Sequence, residues 1–257
     1  MIGFMPMLTK ELRELVSSLK ILYIPIVFTL LVITQPVTMK MLPTLLKDAS
    51  GLPEGAIIQI PEPTVLEVMG SLLPKFGSLG CIIIILIIMG EIAGERASGV
   101  MAMVFAKPIS YAGYFTAKLL AGSLLVVASL FAGMIISTYY TEIMFDKVDW
   151  LDAMLGTLLY VPYVLLAVAI ALSCSAFMKS QVGAGGVAFV IFLVLTTVPQ
   201  YLGSFLRKVS PSRLADEASK VVMGSADAHI VAPLVGTLVL CAVFIGAGLL
   251  MLRRQEV

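Results

Sequence analysis

The sequence is poor in the groups that most soluble functions need. Its 257 residues hold one histidine, one tryptophan and three cysteines, and only 13% are charged. A soluble globular chain carries about 25% charged residues, so this one has too little charge to cover a water-facing surface of its own size. A lone His229 in a loop and three scattered cysteines, Cys81, Cys174 and Cys241, build no zinc site, and no H-E-x-x-H is present. Cysteines in odd number, each inside an apolar stretch, form no disulfide framework. Seventeen basic and 16 acidic residues leave a net charge of +1, which offers nucleic acid no basic face. The chain also lacks G-x-x-x-x-G-K-[ST], so it has no P-loop to cradle ATP. A soluble enzyme and a nucleic-acid binder are both excluded.

What is present is apolar surface. Hydrophobic residues make up 60%, and the mean hydropathy is +1.05. A helix needs about 20 predominantly apolar residues to cross a bilayer core of about 30 Å. Six such runs stand out, at about 21–38, 72–90, 119–138, 151–172, 182–206 and 230–252. Backbone groups in lipid must find internal partners, so runs of this length imply helices. The fold class is an all-α polytopic membrane protein, one transmembrane domain over residues 1–257. The first run follows Lys10, Arg13 and Lys20, as in a signal peptide, but no small-residue cleavage site follows Thr38, so it reads as a retained span. The second span is the shortest, and Thr64-x-x-Glu67 fits a capping box for a helix that starts there and kinks at Pro74.

Helices at the surface frame the bundle. In residues 1–20, Leu8, Leu12, Leu15, Val16 and Leu19 share one face, with Lys10, Glu11, Arg13 and Glu14 on the other. Such a helix lies in the membrane interface. At 211–223, Ser210 as N-cap, Pro211 at N1 and Gly224 as the stop predict an amphipathic helix on the outer surface, with Leu214, Ala218, Val221 and Val222 as its apolar stripe. Trp150, Tyr139, Tyr140, Tyr201, Tyr111 and Tyr114 lie near span ends and suit headgroup anchors. Small residues at four-residue spacing allow close helix approach, as in Ser129/Gly133/Ser137, Ala167/Ala171/Ser175 and Ala242/Gly246. Basic residues divide almost evenly between the two sides, and most acids lie opposite the termini, which favours termini in the cytoplasm.

Apart from Glu91 at an edge, the spans hold no clear acid or base, which argues against ion-coupled transport. The loop between spans two and three, 91–118, carries the distinctive residues. Glu91 and Glu95 sit four apart where span two ends. Gly94 and Gly99 bracket Glu95-Arg96, Met101, Met103 and Phe105 are apolar, and Lys107-Pro108 stops the segment before Lys118. Ionised groups beside exposed Met and Phe make a docking surface for a soluble partner. On the residues alone, a self-contained channel or facilitator and a non-transporting scaffold remain open.

The stretch Glu91 to Gly122 resembles the loop after the second span in permeases of the ABC-2 type. The resemblance rests on the acid Glu91, the turn Gly94-Glu95-Arg96 with Gly99, the apolar segment Val100 to Phe105, the break Pro108-Ile109-Ser110, and Lys118. The span layout and the flanking amphipathic helices match as well. Val100-Met101-Ala102-Met103 departs from the Thr, Leu and acidic residues that such permeases often carry there. The resemblance implies the transmembrane subunit of an ATP-driven exporter in the cell membrane. It pairs with a second permease subunit, binds ABC-type ATPase subunits through the loop, and holds no cofactor itself, ATP and Mg being on the ATPase. It further implies polar docking contacts at Glu91, Glu95 and Arg96, an apolar knob of Met101, Met103 and Phe105, and a turn shaped by Gly94, Gly99 and Pro108.

Overall fold

The computed structural model describes residues 3–49, 63–225 and 228–254, and these contain helices and no strand. Six helical stretches are long and apolar enough to cross a membrane: Lys20–Pro43, Val65–Ala97, Tyr111–Met144, Trp150–Phe177, Gln181–Gln200 and Val231–Arg254. The chain is an all-α polytopic membrane protein. Six crossings leave two ends of the bundle, called here the terminal end, where the first crossing begins and the sixth finishes, and the opposite end.

Helix α1 (Phe4–Ser17) begins at Gly3, whose φ of 83° suits glycine, and turns at Leu19 into α2 (Lys20–Ala49). Its face is split three ways. Met7 and Glu11 are buried, Leu8 and Leu15 pack against the core, and Leu12, Val16 and Leu19 stay exposed as an interfacial stripe. Glu11 therefore departs from its expected place on the solvated face. Helix α2 presents Ile24, Phe28 and Val32, spaced by four residues, to α7 (Tyr111–Met144). The backbones meet at Gly133, where an added Cβ would lie 3.5 Å from the Phe28 carbonyl oxygen. Ser129 and Ser137 are buried one turn to either side, so this small-residue repeat is an intramolecular seam.

The second crossing is longer than the sequence suggests, because it begins seven residues before its apolar run. Thr64 caps α3 (Val65–Lys75) through a complete capping box with Glu67. One π-turn (Phe76–Gly80) begins two residues after Pro74, and α4 (Cys81–Ile88) continues to the terminal end. Proline removes a backbone donor, and a π-turn is one way a helix absorbs that. Helix α5 (Ala93–Ala97) closes this stretch at the terminal end, α6 (Val100–Phe105) continues the segment that leads to the third crossing, and Ser110 caps α7 at Gly113. The third crossing thus starts eight residues earlier than 119, and the connecting loop is shorter than 91–118.

Helix α8 (Trp150–Phe177) is the centre of the bundle and the most buried crossing. Ala167, Ala171 and Ser175 lie on its buried face. Helix α9 (Gln181–Thr197) ends in a short 3₁₀ turn, so the fifth crossing stops at Gln200 and α10 (Ser204–Val209) is separate. Helix α11 (Pro211–Val222) has the expected Ser210 cap, and Gly224 ends it at φ 75°. It is packed into the bundle rather than laid on it. A Cβ at Gly156 of α8 would collide with Val222 and come within 2.7 Å of the Ala218 carbonyl. Helix α12 (Val231–Arg254) meets α8 through a Ser173 hydroxyl that donates to the Phe244 carbonyl at 2.7 Å. Ala242 is exposed and Gly246 has open space beside it, so that pair makes no close contact within the chain. Cys81, Cys174 and Cys241 are buried and free.

Candidate functional site: a buried charge cluster at the terminal end

Three elements converge on one lysine. Lys118, on the first turns of α7, has a wholly buried side chain. Its ammonium lies 3.1 Å from Glu11 of α1, 3.0 Å from Glu95 of α5 and 3.6 Å from Glu91 at the end of the second crossing. Lys10 adds contacts of 3.0 Å to Glu11, 2.8 Å to Glu14 and 2.6 Å to Glu95. Lys20 reaches Glu91 at 2.9 Å, and the Tyr114 hydroxyl donates to Glu95 at 2.6 Å. The helix periods bring this about. Lys10 and Glu14 are one turn apart, as are Glu91 and Glu95, and as are Tyr114 and Lys118.

A buried charge persists only when it is paired and hydrogen-bonded. Lys118 meets that condition with three carboxylates, and Glu11 meets it with two ammonium groups. Burial still pushes the Glu11 carboxyl above its ordinary value, against the pull of Lys118 and Lys10. Burial also acts to lower the Lys10 ammonium, but its bonds to Glu14 and Glu95 and the charge of Glu11 outweigh this and raise it. The carboxylates of Glu11, Glu14 and Glu95 are close enough together to suggest a cation site. Lys10 already bonds to each of them. A cleft of about 490 Å³, lined by Lys10, Glu14, Lys20, Glu91, Gly94 and Gln181, opens onto the cluster.

The connection is also bolted to α8. The Ser175 hydroxyl donates to the Met89 carbonyl at 2.7 Å and accepts from the Ile92 and Ala93 amides at 3.1 and 3.0 Å. Arg96 donates to the carbonyls of Ala176 at 2.9 Å and Met178 at 3.2 Å, where α8 has run out of helical partners. Gly94 faces Gln181, and a Cβ there would lie 2.5 Å from the amide nitrogen. Gly99 turns the chain from α5 into α6 at φ 76°.

The nine residues of the expected docking surface therefore divide. Glu91, Glu95 and Arg96 point inward and have intramolecular partners. Met101 is only 2% exposed, which removes it from the expected knob. Phe105 is half-buried, its ring 4.6 Å from Tyr111 and 5.3 Å from Tyr114. Met103 is 73% exposed, and Ser98, Gly99, Ala102, Lys107 and Pro108 are exposed beside it. Tyr114 is fully buried under the cluster, so it is no headgroup anchor. Sequence reasoning missed Glu11, Lys10, Lys20, Tyr114 and Ser175. One signal was available: Glu91 and Glu95 at a membrane edge need counterions, and Lys10, Lys20 and Lys118 lie at the same end of the bundle.

Comparison with known proteins decides the family. The model of the ABC-2 family transporter proteins matches residues 5–257. The chain belongs to that family. It is 31% identical over 176 residues to the uncharacterized transmembrane protein YxlG of Bacillus subtilis (strain 168), a match covering 68% of each chain. As an ABC-2 family member it is a transmembrane permease subunit of an ABC transporter and not itself the catalytic ATPase. In this ABC-2 permease the charge cluster joins the amphipathic N-terminal helix, the connection after the second crossing and the start of the third.

Proposed function

We propose that the chain is one of a pair of permease subunits of an exporter in the cell membrane, with both termini in the cytoplasm. Separate ATPase subunits, which carry ATP and Mg, dock on the segment between the second and third crossings. The outward face of that segment, with Met103, Ser98, Ala102 and Lys107, meets the ATPase. Glu91, Glu95 and Arg96 hold the segment to the bundle and carry its displacement into α1, α7 and α8. Gly94, Gly99 and Pro108 shape the turn, and Met101 and Phe105 anchor α6 from beneath.

One observation carries the reading: Lys118 is buried among carboxylates from α1, α5 and the end of the second crossing. A rigid, fully paired joint of this kind moves its attached helices together when one is pushed. A ligand or partner shifts such an equilibrium only if its contact free energy differs between the two states. The test is co-purification, which should recover an ABC-type ATPase, followed by reconstitution of the two in liposomes. Met103→Asp with Lys107→Glu should abolish stimulated ATP hydrolysis while the bundle stays folded. Transport by the permease with no ATPase present would refute the reading.

A further inference from the structure

A second feature lies away from the charge cluster and shares no lining residue with its cleft. Helices α8 and α9, the π-turn and helix α11 line an open cavity of about 410 Å³, within the range that holds a drug-sized molecule. Its wall is aromatic. Tyr160 and Tyr163 stand 5.0 Å apart, Tyr163 and Phe192 5.5 Å apart, and Phe189 lies alongside. The polar groups gather toward α11, where Gln200 and Ser212 flank Asp216, the sole charged residue in the lining.

The deep wall is packed, whereas the polar end carries a charge without an ion-pair partner among the described residues. The Tyr160 hydroxyl is fully buried and has no hydrogen-bond partner among the described residues. It sits where Gly77 of the π-turn leaves room, since a Cβ there would lie 2.6 Å from that oxygen. Asp216, in turn, makes no ion pair within 4.0 Å among the described residues. Arg213 and Lys220 of the same helix are both engaged by Glu217, at 2.7 and 2.9 Å. Arg207 is the remaining cation nearby, lining a smaller cavity that shares Asp216.

We infer that this cavity binds an amphipathic cation, an apolar or aromatic body carrying one positive charge. Aromatic faces attract a cation within about 6 Å of the ring. The Asp216 carboxylate supplies the opposite charge at the mouth, and the less buried Phe189 and Leu193 supply the apolar wall that the body would meet. The inference goes beyond the coupling reading and stands without it.

The test uses the purified full-length chain in lipid nanodiscs, with no ATPase or nucleotide, and radiolabelled tetraphenylphosphonium as probe. Saturable binding is expected. Asp216→Asn should weaken it roughly fivefold, the upper size of an exposed ion pair. Thr196→Trp, which fills the cavity, should abolish it. Tetraphenylborate, of the same shape and opposite charge, should not compete. Asp216 is exposed and the asparagine is isosteric, so an unchanged melting temperature will show that this variant is folded. No saturable binding, equal competition by tetraphenylborate, or full binding by Asp216→Asn would each overturn the inference.

Discussion

The ammonium of Lys118, on the third crossing, lies 3.0 Å from the Glu95 carboxylate on the segment that leads into it, with the lysine side chain wholly buried. That contact ties the exposed face around Met103 to the membrane bundle. Its energetic character follows from burial. Removing one partner of a buried pair leaves the other charge uncompensated, and this costs about 3–5 kcal/mol.

Lys118→Met should lower stability by less than that amount, because Lys10 still faces Glu11 and Glu95 and Lys20 still faces Glu91, and the loss is read as a drop in the thermal unfolding midpoint. Adding Glu11→Gln removes the most buried of the carboxylates, which are then in excess over Lys10 and Lys20. The double variant should recover part of the loss. Equal stability of Lys118→Met and the parent would show that the cluster is solvated.

Ser175 offers a second, independent handle. Ser175→Ala leaves the Ile92 and Ala93 amides without their acceptor, a loss of about 1–3 kcal/mol where the groups are buried. Hydrogen exchange at residues 90–97 should speed up while the core of α8 stays protected. Unchanged exchange in that segment would mean that α8 does not hold it.

Gly94 and Gly99 should respond differently, because one is crowded and the other is twisted. A Cβ at Gly94 would lie 2.5 Å from the Gln181 amide nitrogen, the end of a flexible side chain that can swing aside, so Gly94→Ala should cost little and Gln181→Ala should remove that cost in the double variant. Gly99 has open space but a φ of 76°. There Asn should be tolerated better than Ala, and Val least of all, with Ala costing about 1 kcal/mol. Melting temperatures of the five variants decide both points.

Lys10 gives the cluster a pH dependence. Its ammonium is held by Glu14, Glu95 and Glu11 and is raised above the ordinary value of 10.5. A raised cationic group contributes stability that is fully present below its unfolded value and is lost as pH rises through the folded one. The stability difference between parent and Lys10→Met should stay constant from neutral pH to about 10. It should shrink only above that. A difference that fades between pH 7 and 9 would contradict the pairing.

Much of the architecture was legible in the sequence because bilayer thickness sets the length of apolar runs and short-range rules set the caps. Thr64–Glu67, Ser210 with Pro211, and Gly224 all behave as their local chemistry demands. The cluster was less legible, since it joins residue 11 to residues 91, 95 and 118 and depends on how three helices meet. Hydrophobic periodicity placed Glu11 with its charged neighbours on a solvated face. Tertiary packing overrode this, because Lys118 descends onto that face. The burial of Met101 has the same origin: α6 folds back toward α7, and a six-residue helix shows too little periodicity to reveal which face turns in.

The central claim is that the segment between the second and third crossings faces the cytosol and is gripped there by an ATPase. Met103→Cys tests it most directly, since Met103 is exposed and the native cysteines are buried. A membrane-impermeant maleimide should label this thiol in inside-out vesicles but not in intact cells, and bound ATPase should protect it. Labelling from the exterior of intact cells, or labelling indifferent to the ATPase, would contradict the account.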